Sequence, residues 1–139
     1  MTRINASIQP FELSNSMLFA EYREVKRIPN TIKSGKAVLK DIPKQFKLEK
    51  NHVKFFYDKI LYLKRRSDAL YIECLKRGIN APDYSDCYKD IPQQLFNDWC
   101  ETKESRELLK ERINKRLTES KQTIRFYDRV VTLEEALIK

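Results

Sequence analysis

Two stretches of the chain hold residue types that together can do chemistry on an electrophilic carbon. One is Met1-Thr2-Arg3, where removal of Met1 would free the α-amine of Thr2; the other is Glu21-Tyr22-Arg23-Glu24-Val25-Lys26-Arg27. An α-amine titrates at about 7.7–8.0, against about 10.4 for lysine, so at pH 7 roughly a tenth of it is neutral and nucleophilic. Thr2 is small, which suits trimming of a preceding methionine. At 100° per residue, Leu18, Tyr22, Val25, Ile28 and Ile32 form one apolar stripe, with Arg23, Lys26 and Arg27 away from it. Glu24 falls at the seam, where a carboxylate is partly desolvated and still feels positive charge. That setting suits a catalytic acid, and it equally suits a surface carboxylate balancing its arginines. Glu21 lies inside the stripe and needs a cation if it is buried.

Other reaction types have little to stand on. Two glycines cannot build a glycine-rich phosphate loop, and neither a Ser-His-Asp set nor a metal-ligand cluster occurs, so no metal or organic cofactor is expected. His52 is the one histidine; it reads as a buried, hydrogen-bonded imidazole rather than a base or ligand, because no other ligand types cluster near it. Cys74, Cys87 and Cys100 are odd in number and dispersed, which argues for reduced, structural thiols.

Around these residues stands a chain of 139 residues, enough for one domain with a core but not two. Its net charge of +8 is uneven: residues 1–70 carry 15 Lys and Arg against 7 acids, residues 71–139 carry 13 of each. A basic half favours a polyanion such as nucleic acid, although an acidic protein or membrane headgroups would also fit. Apolar runs are too short for a membrane span, and the first residues lack the charged and apolar regions of a signal peptide. A soluble cytoplasmic monomer is expected, in the host cytoplasm if the chain is viral.

The elements that must position the chemistry can be read in order. Ile4, Ala6 and Ile8 alternate with polar residues, predicting an extended arm with one apolar edge pressed between helices. Ser14 or Ser16 can cap a first helix from about residue 15 to Lys33, kinked or ended by Pro29. Residues 34–51 form a lysine-bearing loop. The aromatic cluster His52 to Tyr57 belongs to the core, ahead of a second helix capped by Asp58 and stopped at Gly78. After a loop-rich stretch to Cys100, with Trp99 as a core or lid residue, Thr102 can cap a third helix to about Glu119. Its Leu109, Ile113 and Leu117 share one face and Arg112 and Arg116 a neighbouring one. Thr132 and Glu135 have capping-box spacing for a short final helix. The fold class is all-α: one domain, residues 1–139, of three principal helices with long loops and an extended N-terminal arm.

Several blocks of the sequence carry a resemblance. The opening MTRIN, AEYRE at Ala20–Glu24, HVKFFYDK at His52–Lys59, ECLKRG at Glu73–Gly78 and DIPQ at Asp90–Gln93 are similar, in the same order, to the phage pyrimidine-dimer DNA glycosylases of the endonuclease V type. The resemblance implies a DNA repair glycosylase that excises cyclobutane pyrimidine dimers and then acts as an abasic-site lyase. Thr2 would supply the attacking amine and Glu24 the catalytic carboxylate. Arg3, Arg23, Arg27, Arg112 and Arg116 would contact double-stranded damaged DNA, Arg116 standing where the family has lysine. Arg125 lies in a tail that the family uses against DNA.

Two departures bear on specificity. Ser16-Met17 replaces the family's glutamine-histidine pair, and Thr123-Ile124-Arg125-Phe126-Tyr127 replaces its aromatic tail. Phe126 and Tyr127 can stack on bases or belong to the core. A basic DNA-binding module on the same scaffold without catalysis, and a lyase for another lesion, are the alternative readings.

Overall fold

In the computed structural model, which describes residues 2–139, the segment expected to be one helix is two. Helix α1 (Asn15–Val25) and helix α2 (Arg27–Lys33) meet at Lys26. Pro29 explains the position of the break. It has no N–H for the carbonyl of Val25 four residues back, and its ring crowds that carbonyl, so the bend falls before the proline rather than at it. Ser14 is the cap, its Oγ accepting from the Met17 N–H at 3.4 Å. The expected removal of Met1 lies outside the described residues.

The aromatic cluster folds as a single helical turn, α3 (His52–Phe55), and a 3-10 turn over Phe56–Asp58, leading into α4 (Ile60–Lys76). Asp58 does not cap α4 as expected; it pairs with Lys59 Nζ at 2.7 Å, and Lys59 occupies the cap position. Gly78 does end the helix. Its φ of 74° lets its N–H reach the Leu75 carbonyl (3.1 Å) and the Ile79 N–H reach that of Cys74 (3.0 Å). Helix α5 (Lys103–Glu119) begins at the Thr102 cap, and α6 (Leu133–Ala136) at Thr132, whose side chain accepts from the Glu135 N–H.

The chain is mostly α but not strictly all-α: beside the three longer helices α1, α4 and α5 stand the shorter α2, α3 and α6 and a small sheet. Strands β1 (Ile124–Phe126) and β2 (Arg129–Val131) pair as an antiparallel hairpin, with Phe126 opposite Arg129. The turn between them lacks the Asn-Gly or Asp-Gly pair that marks such turns in sequence. Tyr127 adopts a φ of 58° instead, and tertiary contacts hold it there. The Asn15 side chain donates to the Tyr127 carbonyl (2.7 Å) and accepts from its N–H (3.0 Å), while the Tyr127 hydroxyl donates to Glu73 (3.0 Å). The Arg77 guanidinium lies 5.4 and 5.1 Å from the ring centres of Phe126 and Tyr127. Those two aromatics therefore brace the hairpin against α4.

The core lies between α1 and α4, which pack together, and α5, whose Leu109, Ile113 and Leu117 are buried. Phe55 and Phe56 are fully buried, each worth about 1.5–3 kcal/mol of apolar burial. Trp99 closes over them as a lid, stacked on Phe46 at 5.8 Å and edge-on to Phe55, Phe56 and Tyr62. Phe46 thereby anchors the lysine-bearing loop. Tyr22 stands in the α1 stripe with its hydroxyl between the Pro82 carbonyl (2.5 Å) and the Tyr84 N–H (3.1 Å); burial pushes its pKa up to about 12. All three cysteines are free; Cys74 is buried and Cys87 half-buried, but Cys100 is exposed and is not the packed thiol expected. Among the described residues no helix is long and apolar enough to cross a membrane.

Candidate active site

The N-terminal arm is fixed residue by residue. The Arg3 N–H donates to Glu24 Oε1 at 3.3 Å, the Ile4 N–H to His52 Nε2 at 3.0 Å, and Asn5 Nδ2 to Glu21 Oε1 at 3.0 Å. The chain then turns at Ser7, with a φ of 69°, and the Ile8 N–H returns to the Asn5 carbonyl at 3.2 Å. Ser7 donates its N–H to the Glu101 carboxylate, shares a 2.5 Å hydroxyl contact with Ser105, and accepts from Arg106 at 2.9 Å. Ile4, Ala6 and Ile8 are fully buried, as the alternation predicted, but Asn5 and Ser7 are buried too. The expected arm with one apolar edge is instead enclosed on both edges. A buried extended segment needs a partner for each polar backbone group, and here side chains supply what a neighbouring strand would.

Beneath the arm, Arg66 of α4 grips Glu21 of α1 with two hydrogen bonds, Nε to Oε2 at 2.8 Å and Nη2 to Oε1 at 2.9 Å, and gives a third to the Ile8 carbonyl at 2.6 Å. Burial works against the Arg66 charge, but the adjoining Glu21 carboxylate outweighs it and the net direction of its pKa is upward. The place of Glu21 inside the α1 stripe called for such a cation without identifying it. The signal was there: Arg66 interrupts the apolar series Ile60, Leu63, Leu70 and Cys74 on α4, as Glu21 interrupts the stripe on α1.

Above the pair opens a cleft of about 280 Å³. Glu21 and Glu24 of α1 line one side, Arg112 and Arg116 of α5 the other, and Arg3 and Asn5 of the arm lie between. Arg112 and Arg116 are one helical turn apart and so share a face. Arg112 Nη2 is buried with no hydrogen-bond partner among the described residues. Burial and then the neighbouring Arg3 lower the pKa of Arg112. A guanidinium in this state gains from an anion that accepts its free N–H.

Four of the residues expected at a site thus converge here: Arg3, Glu24, Arg112 and Arg116. Thr2 is half-buried and immediately precedes Arg3. Arg23, Arg27 and Arg125 are exposed and do not line the cleft. Arg23 stacks over the Phe19 ring at 4.9 Å, Arg27 opens α2 beyond the bend, and Arg125 sits in β1 opposite Val130.

A second groove, also about 280 Å³, adjoins the cleft through shared Met17, Ala20 and Arg116. Ser16, Gln122, Thr123 and Ile124 complete much of its wall. His52, read from sequence only as a buried imidazole, is one: it is 2% exposed, and its Nδ1 faces the Lys47 carbonyl at 2.7 Å. What the sequence did not signal is that its other nitrogen holds the arm.

Compared with known protein families, residues 1–85 match the one described as pyrimidine dimer DNA glycosylase. The matched stretch is more than half of the chain and includes the arm, α1 and α4; Arg112, Arg116 and the hairpin lie beyond it.

Proposed function

The chain belongs to the pyrimidine dimer DNA glycosylase family, and from that premise we propose that it is a DNA repair glycosylase and abasic-site lyase working through the Thr2 amine. The amine, exposed by loss of Met1, attacks C1′ of the damaged nucleotide in double-stranded DNA. The bond from C1′ to the base breaks and the base leaves with the electron pair and takes up a proton; the C1′–O4′ bond then opens, O4′ takes up the proton given up by the amine, and an iminium joins C1′ of the opened sugar to the Thr2 nitrogen. Glu24 stabilises the cationic sugar and accepts a C2′ proton, and the C3′–O bond then breaks with departure of the 3′ phosphate. Hydrolysis releases the enzyme.

One observation carries this reading. The Arg3 backbone N–H, one residue from the proposed nucleophile, is bound to the Glu24 carboxylate at 3.3 Å, in a cleft faced by Arg112 and Arg116. An amine one residue from that bond would reach the same sugar as the carboxylate, and the arginines would meet the flanking phosphates. Arg23, Arg27 and Arg125 extend the contact surface outside the cleft.

A second reading, in which the same chemistry is turned to a different lesion, is favoured by the adjoining groove. Ser16-Met17 and Thr123-Ile124, the two places where the sequence departs from the family pattern, lie more than a hundred residues apart and meet in its wall.

Borohydride trapping on duplexes carrying one thymine dimer or one abasic site tests both. Trapping on both substrates, abolished by blocking the N-terminus, is the expected result. Trapping on the abasic site alone would move the lesion and keep the mechanism. Trapping on neither would favour a non-catalytic DNA-binding module.

A further inference from the structure

We infer that His52 is the positioning residue of the reaction, its Nε2 lone pair setting the register of the arm by accepting the Ile4 N–H. The inference rests on the reading that Thr2 carries the nucleophile. Both nitrogens of this buried ring are engaged by backbone groups, where an apolar side chain would only pack.

The geometry defines one tautomer. Nδ1 lies 2.7 Å from the Lys47 carbonyl, which can only accept, so Nδ1 carries the proton and Nε2 is bare. That bare nitrogen lies 3.0 Å from the Ile4 nitrogen, which can only donate. Imidazole is thus a rigid bridge from the lysine-bearing loop to the arm, two residues from Thr2 and one from the Arg3 N–H that binds Glu24. A shift of the Ile4 bond would move both ends of the proposed amine and carboxylate pair relative to each other. Displacements of this kind, about 1 Å, cost on the order of a hundredfold in rate.

The surroundings keep the ring neutral. Phe46 and Phe56 meet it edge-on at 5.5 Å each. The charged groups that face it are Arg112 from α5, Glu21 from α1 and Arg3 from the arm itself, two cations against one anion. Burial is the largest influence, and with Arg112 and Arg3 it outweighs the Lys47 carbonyl and Glu21, so the pKa is lowered. A protonated ring would present two donors, one of them to a donor.

The experiment compares wild type, H52L and H52Q with an exposed Thr2 amine, using single-turnover borohydride trapping on an abasic-site duplex and separate duplex-binding titrations. Leucine removes the acceptor and keeps an apolar side chain; glutamine keeps an acceptor for the Ile4 N–H. H52L should trap at least about tenfold more slowly with duplex affinity unchanged, and H52Q should recover to within about threefold of wild type. A folded H52L that traps at the wild-type rate overturns the inference. If H52L does not fold, the acid limb of the trapping rate decides. Wild type should fall more steeply than H52Q at low pH, because it loses both the neutral amine and the acceptor; equal limbs overturn the inference. Failure of wild type itself to trap overturns the Thr2 reading, and the Ile4 amide then still reports the bond. Its proton resonance should move upfield in H52L and much less in H52Q, and no movement means no such bond.

Discussion

Glu21 and Arg66, forty-five residues apart, meet as a two-bond ion pair with side chains 1% and 5% exposed, directly under the arm that carries Arg3. The pair ties α1 to α4 and, through Asn5 and the Ile8 carbonyl, both helices to the arm.

Breaking that pair from one side should be severe. Arg66→Met leaves a buried carboxylate and Glu21→Gln a buried guanidinium, and each should lower unfolding free energy by about 3–5 kcal/mol. The double variant should lie closer to wild type than the worse single one. Urea unfolding of the four proteins measures this; additive losses would mean that the two residues act separately.

Glu24→Gln should separate chemistry from folding. The residue is half-buried and its carboxylate accepts one backbone N–H, which an amide oxygen can also do. Strand cleavage at an abasic site should drop by about 10²–10⁴-fold, with stability changed by less than about 1 kcal/mol. Cleavage at the wild-type rate would remove Glu24 from the mechanism.

Salt dependence should distinguish the arginines. Arg112→Gln and Arg116→Gln, in the cleft wall, should each reduce the slope of log affinity against log salt by about 0.9 if each meets one phosphate. Lys76→Gln, exposed at the end of α4 and outside the cleft, provides the contrast. A slope unchanged in the two cleft variants would mean that the cleft does not bind the DNA backbone.

Stability should depend on pH through His52. Its folded pKa lies below the ordinary 6.5. Above that value both states are neutral and the full stability is present. As pH falls below it, the unfolded chain takes up a proton that the folded state refuses, and stability declines until the folded pKa is passed. Urea midpoints between about pH 7.5 and 5 should fall further for wild type than for His52→Gln; parallel curves would place the titration elsewhere.

The sequence by itself determined what depends on neighbours in the chain. Thr102 and Thr132 announced helix starts because a cap bonds an N–H only three residues on, and Gly78 announced a stop because its backbone alone tolerates a positive φ so cheaply. Periodicity put Leu18, Tyr22, Val25 and Ile28 inside. Only the tertiary structure decided what depends on distant partners. The hairpin has no local turn signal at Tyr127-Asp128, and its geometry comes from Asn15, more than a hundred residues away. Which arginines share the cleft follows from where the fold sets α5 relative to α1 around it, a relation no spacing encodes. The arm's polar edge became interior because Glu21, Glu101 and Ser105 meet its Asn5 and Ser7, while His52 meets its Ile4 N–H. Burial of a polar group is allowed wherever a partner arrives, and the arrival is set by the whole fold.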